Sequence, residues 1–72
     1  MAIKVGNYVR PKHKYGIIDA TGTVWFRGSA AKVIKFSNDG RKAEVKISVT
    51  NESMWVSIEE IELTKEKRNR SN

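Results

Sequence analysis

The stretch AKVIKFSNDGRKAEVKISVT, residues 31–50, decides the fold because it contains two strand patterns joined by a turn. Apolar residues take every second position of its second half, at Ala43, Val45, Ile47 and Val49. This alternation predicts a strand that buries one face and exposes the other. In SNDG, residues 37–40, the Asn and Asp side chains can bond to nearby backbone, and the glycine can take a positive φ. The stretch therefore predicts a β-hairpin with residues 37–40 as its turn.

Two shorter strand patterns precede this hairpin. The first is IKVGNYVRP, residues 3–11, where alternation places Val5 and Val9 together on the buried face. Tyr8 and Arg10 then face outward.

The second of these patterns is TGTVWFRG, residues 21–28, which ends at a glycine. Here we expect Val24 and Phe26 to face the core. The outward side chains would then be Thr23, Trp25 and Arg27.

A long irregular connection, KHKYGIIDATG, joins these two strands over residues 12–22. It begins with basic and aromatic residues and ends with polar residues and a glycine, which is typical of a surface loop. Only Ile17 and Ile18 are expected to reach the core.

The segment SMWVSIEEIEL, residues 53–63, has two interpretations. One is a strand over 54–56, a single helical turn and a last strand over 61–63. The other is a helix from 58 to about 67, since Ser57 and Glu60 have the spacing of a capping box. We favour the first, because the helix would have no second apolar turn with which to dock. The folded domain is then expected to span residues 1–63, with 64–72 as a disordered basic tail.

The composition limits what the chain can be. It has 72 residues, no cysteine and one histidine, His13, so we expect one small domain without disulfide, metal or cofactor. No apolar run approaches the length of a membrane span or a signal peptide, which favours a cytoplasmic protein. The sequence contains neither a glycine-rich phosphate loop nor a nucleophile with a paired base, so we expect no enzymatic activity and no small-molecule substrate.

The charge of the chain points to a polyanionic partner. It has 14 basic and 8 acidic residues, a formal net charge of +6 and an isoelectric point near 9.9. Residues 1–58 hold ten of the basic residues and four of the acids. The remaining acids gather near the C-terminus, where Glu59, Glu60 and Glu62 are close together. The folded part is therefore expected to attract DNA or RNA.

The order of these patterns resembles a known architecture. VGNYVRP, then GTV after a loop, then VIKFSNDGRKAEVKI and finally WVSIEEIEL resemble the layout of small SH3-like barrels of the KOW and Tudor-like type. The resemblance covers about residues 3 to 63. It implies an all-β fold: a small five-stranded antiparallel SH3-like barrel with a short helical turn before the last strand. Signalling SH3 domains typically have an acidic first loop, whereas this one is RPKHKYG, and the architecture alone implies no function.

A basic and aromatic surface is the first candidate site. Nucleic-acid-binding proteins combine cations for phosphates with aromatic rings on which unpaired bases stack. The outward faces of the first two strands and the first loop supply both kinds of side chain: Tyr8, Arg10, Lys12, Lys14, Tyr15, Trp25 and Arg27. We therefore expect a small binding module for nucleic acid with low sequence specificity.

A second basic group follows the hairpin, at Lys32, Lys35, Lys42 and Lys46. Glu44 interrupts it, so a solvated strand face is the favoured interpretation. Trp55 is expected to pack, although it competes with Met54 and Val56 for the core.

The alternative function is a protein-interaction or regulatory accessory domain that docks on an acidic partner. In that case Trp25 and Trp55 would be apolar anchors, and the glutamates near the C-terminus would disfavour nucleic acid. A small module of this type would also suit a phage or mobile element.

Overall fold

The computed structural model describes residues 3–64, which form short β-strands and one turn of 3-10 helix. The strands are β1 (Tyr8–Pro11), β2 (Ile17–Ile18), β3 (Val24–Trp25), β4 (Ala31–Phe36), β5 (Lys42–Ile47), β6 (Ser53–Ser57) and β7 (Ile61–Leu63). The helical turn, Ile58–Glu60, lies between β6 and β7. Within the described residues, no helix is long and apolar enough to cross a membrane.

The strands form an antiparallel sheet in the order β6-β5-β4-β1-β7 and a separate ribbon of β2 and β3. The sheet confirms the predicted all-β fold with five antiparallel strands and a helical turn before the last one. The ribbon occupies part of the predicted loop, because Ile17 pairs with Trp25 and Ile18 with Val24. The layout is that of a small SH3-like barrel.

The core lies on the inner face of the sheet and takes one residue from the ribbon. Its members are Val9, Trp25, Ala31, Val33, Ala43, Val45, Ile47, Met54, Val56 and Ile61. Partly buried Ile3, Ile17, Phe36 and Ile58 pack against them. Full burial of one such aliphatic side chain stabilises the fold by about 1.5–3 kcal/mol, so this one cluster holds the strands together.

The hairpin of β4 and β5 is confirmed with the predicted turn. Gly40 has a φ of 74°, and its N–H donates to the carbonyl of Ser37 at 3.0 Å. The Asp39 carboxylate accepts from the Ser37 hydroxyl at 2.6 Å and from the Arg41 N–H at 3.0 Å. These hydrogen bonds, that from Ser37 first, lower the pKa of Asp39. The turn is therefore closed by its own polar groups.

A β-bulge shifts the alternation of β4. Val33 faces Val45 and Lys35 faces Glu44, so Ile34 is an extra residue between two paired positions. Ile34 and Lys35 are consecutive, and both are exposed. Because the phase changes at this point, Phe36 returns to the side of the core, where it packs against the buried cluster.

Four apolar residues expected at the core are instead exposed, and one of them, Phe26, is described with Trp25 below. Val49 is 76% exposed because β5 ends at Ile47 and the chain turns there. Val5 is 58% exposed because it lies in a turn before β1 begins. Ile18 is 69% exposed because Ile17 takes the inner side of β2, so alternation turns Ile18 outward.

The C-terminal segment follows the interpretation of strand, turn and strand. Ser57 caps the 3-10 turn by accepting from the N–H of Glu59 at 3.4 Å. The rival helix is wrong, because Ile61 has an extended backbone and begins β7. Thr64 still donates its N–H to the carbonyl of Tyr8 at 2.9 Å. The predicted tail, from 65 onward, lies outside the described residues, so its disorder and the domain boundary stay predictions.

Candidate binding surface

Trp25 faces the core, so the prediction that it faces outward is wrong. Its side chain is 0% exposed, whereas its neighbour Phe26 is 64% exposed. Three apolar residues, Val24, Trp25 and Phe26, follow one another here. Because side chains alternate along a strand, either Trp25 or the pair of Val24 and Phe26 can face inward, but not both. The indole has the larger apolar area to bury, and its Nε1–H donates to the carbonyl of Ser29 at 2.7 Å. Trp25 is therefore a packing residue with no ring face open to a base.

The two predicted phosphate-binding arginines lie together, but both contact one acid. The Oε2 atom of Glu62 is 2.7 Å from Nε of Arg10 and 3.2 Å from Nη2 of Arg27. Arg10 faces Glu62 directly across β1 and β7. The hydrogen bond from Arg10, more than the nearby charges, lowers the pKa of Glu62 against the effect of partial burial. The carboxylate therefore offsets part of the positive charge on which that prediction depended.

The first loop presents the exposed cations that the sequence predicts. Lys12, Lys14 and Tyr15 are all exposed, and Tyr15 is 78% exposed. The ammonium of Lys14 lies 5.5 Å from the centre of the Tyr15 ring. This cation-π contact holds a cation beside an aromatic face, but the ring of Trp25 is absent from this surface.

Tyr8 belongs instead to a row of side chains that crosses the sheet. It faces Lys32 of β4, which faces Lys46 of β5, which faces Ser53 of β6. No acid lies in this row, and both lysines are exposed. A groove of about 240 Å³ lies here, lined by Tyr8, Lys32, Ile34, Lys46, Ser48 and Asn51. Two cations thus lie directly opposite each other beside an aromatic ring.

The neighbouring row contains the exposed tryptophan. Trp55 is 44% exposed and faces Glu44, which in turn faces Lys35. The Lys35 ammonium lies 5.8 Å from the centre of the indole and 3.9 Å from the Glu44 carboxylate. We call these two rows, with Tyr8, Lys32, Ile34, Lys35, Lys46 and Trp55, the outer sheet face.

The sequence analysis ranked the lysines of the outer sheet face below the first candidate site, because it followed the charges along each strand and not from strand to strand. Along β5, Glu44 lies between Lys42 and Lys46 and interrupts the positive charge in that direction. Across the strands, however, Lys46 adjoins Lys32. A signal was available, since Met54 and Val56 flank Trp55 and their joint burial turns the indole outward.

Among residues 3–64, no group of three or more histidine, cysteine or carboxylate side chains could hold a metal ion. Comparison of the chain with protein-family models, curated proteins and solved structures finds no match.

Proposed function

We propose that this protein is a small basic module that binds nucleic acid with low sequence specificity through its outer sheet face. The observation that carries the proposal is the pairing of Lys32 with Lys46 beside Tyr8, in a row without an acid. Trp55 adds an exposed ring in the next row.

The paired lysines favour an anionic ligand on energetic grounds. Like charges directly opposite each other on antiparallel strands destabilise a sheet, by an amount on the order of 0.2–1 kcal/mol. A phosphate group placed between Lys32 and Lys46 would remove that repulsion. Lysine acts on phosphate as a point charge without a fixed fork of donors, so such contacts hold the backbone and do not read base edges.

The aromatic rings favour a single strand over a duplex. Unpaired bases can stack on side chains that project from a sheet, and each stack contributes about 1–3 kcal/mol. Trp55 projects from β6 and Tyr8 from β1, with Ile34 exposed between them on β4. Glu44 is engaged by Lys35, which lessens its repulsion of phosphates.

The proposal changes which residues carry the function. Lys32 and Lys46 take the place of Arg10 and Arg27 as the main phosphate contacts, and Trp55 takes the place of Trp25. Lys12, Lys14 and Tyr15 of the first loop remain as additional contacts, because they are exposed.

A salt titration tests the mechanism. Binding of fluorescein-labelled dodecathymidylate is followed by anisotropy at several KCl concentrations. For two to four phosphate contacts, log affinity should fall with log salt at a slope of roughly −1.4 to −2.8. Affinity that ignores salt, or no binding at low salt, contradicts the proposal.

Matched variants locate the surface. The double variant Lys32→Thr and Lys46→Thr should make the slope of log affinity against log salt less negative by about 1.4, because two phosphate contacts are lost. Lys12→Thr with Lys14→Thr removes the same charge from the first loop and should change the slope less. Trp55→Ala should weaken binding by roughly 5- to 100-fold. An equal or larger effect of the first-loop variant would place the interface there instead.

A further inference from the structure

The ribbon of β2 and β3 carries an apolar face that the fold does not bury. Its inner face holds Trp25, which is fully buried, and Ile17, which packs against the core. The next pair along the ribbon, Ile18 and Val24, therefore projects to the opposite side. Ile18 is 69% exposed there.

Phe26 extends this face because the residue opposite it has no side chain. A Cβ atom on Gly16 would lie 3.1 Å from the Cα of Phe26 and 2.3 Å from the carbonyl oxygen of Trp25. Only glycine fits at this position, so nothing on the paired strand covers the phenyl ring, which is 64% exposed. Ile18, Val24 and Phe26 form what we call the ribbon face.

Polar groups, and not these apolar side chains, close the turn of the ribbon. Its turn is closed by Asp19, whose Oδ1 accepts from the N–H groups of Thr21 and Thr23, both at 3.0 Å. The Thr21 hydroxyl also donates to Asp19 at 2.7 Å and is the main cause of its lowered pKa. The outer side of an antiparallel ribbon is ordinarily polar, and adjoining exposed apolar side chains mark an interaction site.

We propose that the ribbon face docks a protein segment whose apolar side chains are flanked by carboxylates. The charge of the adjoining loop identifies this partner. Lys12 and Lys14 are exposed in the loop that leads into β2, and the Lys14 ammonium lies against Tyr15, the residue before Gly16. The one acid in the ribbon, Asp19, is engaged in its own turn. A partner that fills the apolar face therefore meets Lys14 where the loop enters the ribbon, with Lys12 two residues earlier in the same exposed loop.

Three other occupants fit less well. A second copy would bring its own Lys12 and Lys14, with a formal charge of +6 on each chain. Nucleic acid gains no hydrogen bond from Ile18, Val24 or Phe26, and only the single ring of Phe26 could stack on a base. The chain's own residues 65–72, KEKRNRSN, contain no apolar side chain that could cover this face.

A peptide selection tests the inference with a defined probe. Random dodecapeptides displayed on phage are selected on the immobilised full-length protein. The enriched peptides are then made synthetically and titrated against purified variants at low and moderate salt. We expect them to carry Leu, Ile or Phe beside Asp or Glu, and to lose at least tenfold in affinity when Ile18→Thr and Phe26→Thr are combined.

Two control variants make the result specific. Ile34→Thr removes an exposed aliphatic side chain from the outer sheet face and should leave peptide affinity unchanged. Lys12→Thr with Lys14→Thr should weaken binding at low salt and have less effect at moderate salt. If the double ribbon variant loses its near-UV circular dichroism, Ile18→Thr alone is used, with an expected loss of at least threefold.

Several results would overturn the inference. These are the absence of enrichment, enriched peptides without acids, and unchanged affinity for the ribbon variants. A dimer in sedimentation equilibrium that the ribbon variants abolish would identify a second copy as the occupant. Loss of oligonucleotide affinity in those variants would assign the face to nucleic acid. Failure of the outer sheet face to bind dodecathymidylate would leave this inference intact, because its apolar residues, Ile18, Val24 and Phe26, have no part in that binding and only the lysines of the first loop are shared.

Discussion

Glu62 controls how much positive charge the first strand presents. Its carboxylate contacts Arg10 and Arg27, and its side chain is 33% exposed. A carboxylate with two guanidinium partners is held in its ionised form, which is why its pKa lies below the ordinary value of 4.5. The same contact stabilises the fold and lessens the positive charge that a ligand would meet.

Replacement of this carboxylate should destabilise the fold by an amount that depends on pH. We expect Glu62→Gln to lower the free energy of unfolding at neutral pH, because both arginines lose their anion. A depressed pKa in the folded state gives stability that is present above the ordinary pKa of 4.5 and is lost as the pH falls through the folded value. The difference between wild type and variant should therefore shrink in acid, as measured by urea unfolding at a series of pH values.

Glu52→Gln is the control for this measurement. Glu52 is exposed and forms no salt bridge within residues 3–64, so its removal should have little effect at any pH. A difference between wild type and Glu62→Gln that stays constant into acid would show that charge pairing is not the stabilising contribution.

Among the elements, the ribbon of β2 and β3 depends most on one backbone position. Gly16 has a φ of 87°, and a Cβ there would lie 2.3 Å from the carbonyl oxygen of Trp25. Gly16→Ala therefore combines a strained dihedral with a clash against backbone and should destabilise the protein by about 3 kcal/mol or more. Urea unfolding followed by tryptophan fluorescence measures this loss.

Gly22→Ala separates the two causes. Gly22 has a φ of 91°, yet nothing lies within 4 Å of a Cβ built on it. This variant should cost only about 1 kcal/mol, from the dihedral strain. Equal losses for the two variants would contradict the steric role of Gly16.

The elements also show what local sequence can predict. The turn at residues 37–40 follows from short-range chemistry, because alternation and Asn-Asp-Gly suffice to predict it. The final strand follows from the lack of a second apolar turn after it, since the spacing of Ser57 and Glu60 by itself favoured a helix. β3 has two residues, and three consecutive apolar residues pass through it, so local alternation cannot decide between Trp25 and Phe26. Packing and the carbonyl acceptor of Ser29, four residues further along the chain, decide that choice, and neither is visible in the alternation.

The candidate site was harder to predict than the fold, because it depends on register. Lys32 and Lys46 are 14 positions apart in sequence but face each other across two strands. Arg10 and Glu62 meet in the same way from opposite ends of the described chain. A count of charges along the sequence therefore favoured the first loop as the site and assigned the lysines of the outer sheet face to a solvated strand face.

For the whole molecule, the high net positive charge lowers the free energy of unfolding. A formal charge of +6 on 72 residues repels itself more strongly in the compact state than in the unfolded one. We expect the free energy of unfolding in urea to rise when NaCl is increased from about 10 to 200 mM, because salt screens this repulsion over a Debye length. Salt should thus stabilise the free protein while it weakens oligonucleotide binding.

The variant with both Lys32→Thr and Lys46→Thr provides the comparison. It should be more stable than wild type by roughly 0.2–1 kcal/mol at low salt and should respond less to NaCl. A protein that loses stability as salt is added would indicate that its ion pairs outweigh its self-repulsion.

The bulge at Ile34 marks a position where the chain can lose a residue and keep its buried side chains in place. Without that residue β4 would be AKVKF, in which Ala31, Val33 and Phe36 already alternate with the two lysines. The paired positions on either side, Val33 with Val45 and Lys35 with Glu44, would keep their partners. The same interior is therefore compatible with a strand one residue shorter. At this position a very small barrel can gain or lose an outward side chain without any compensating change among the residues it buries.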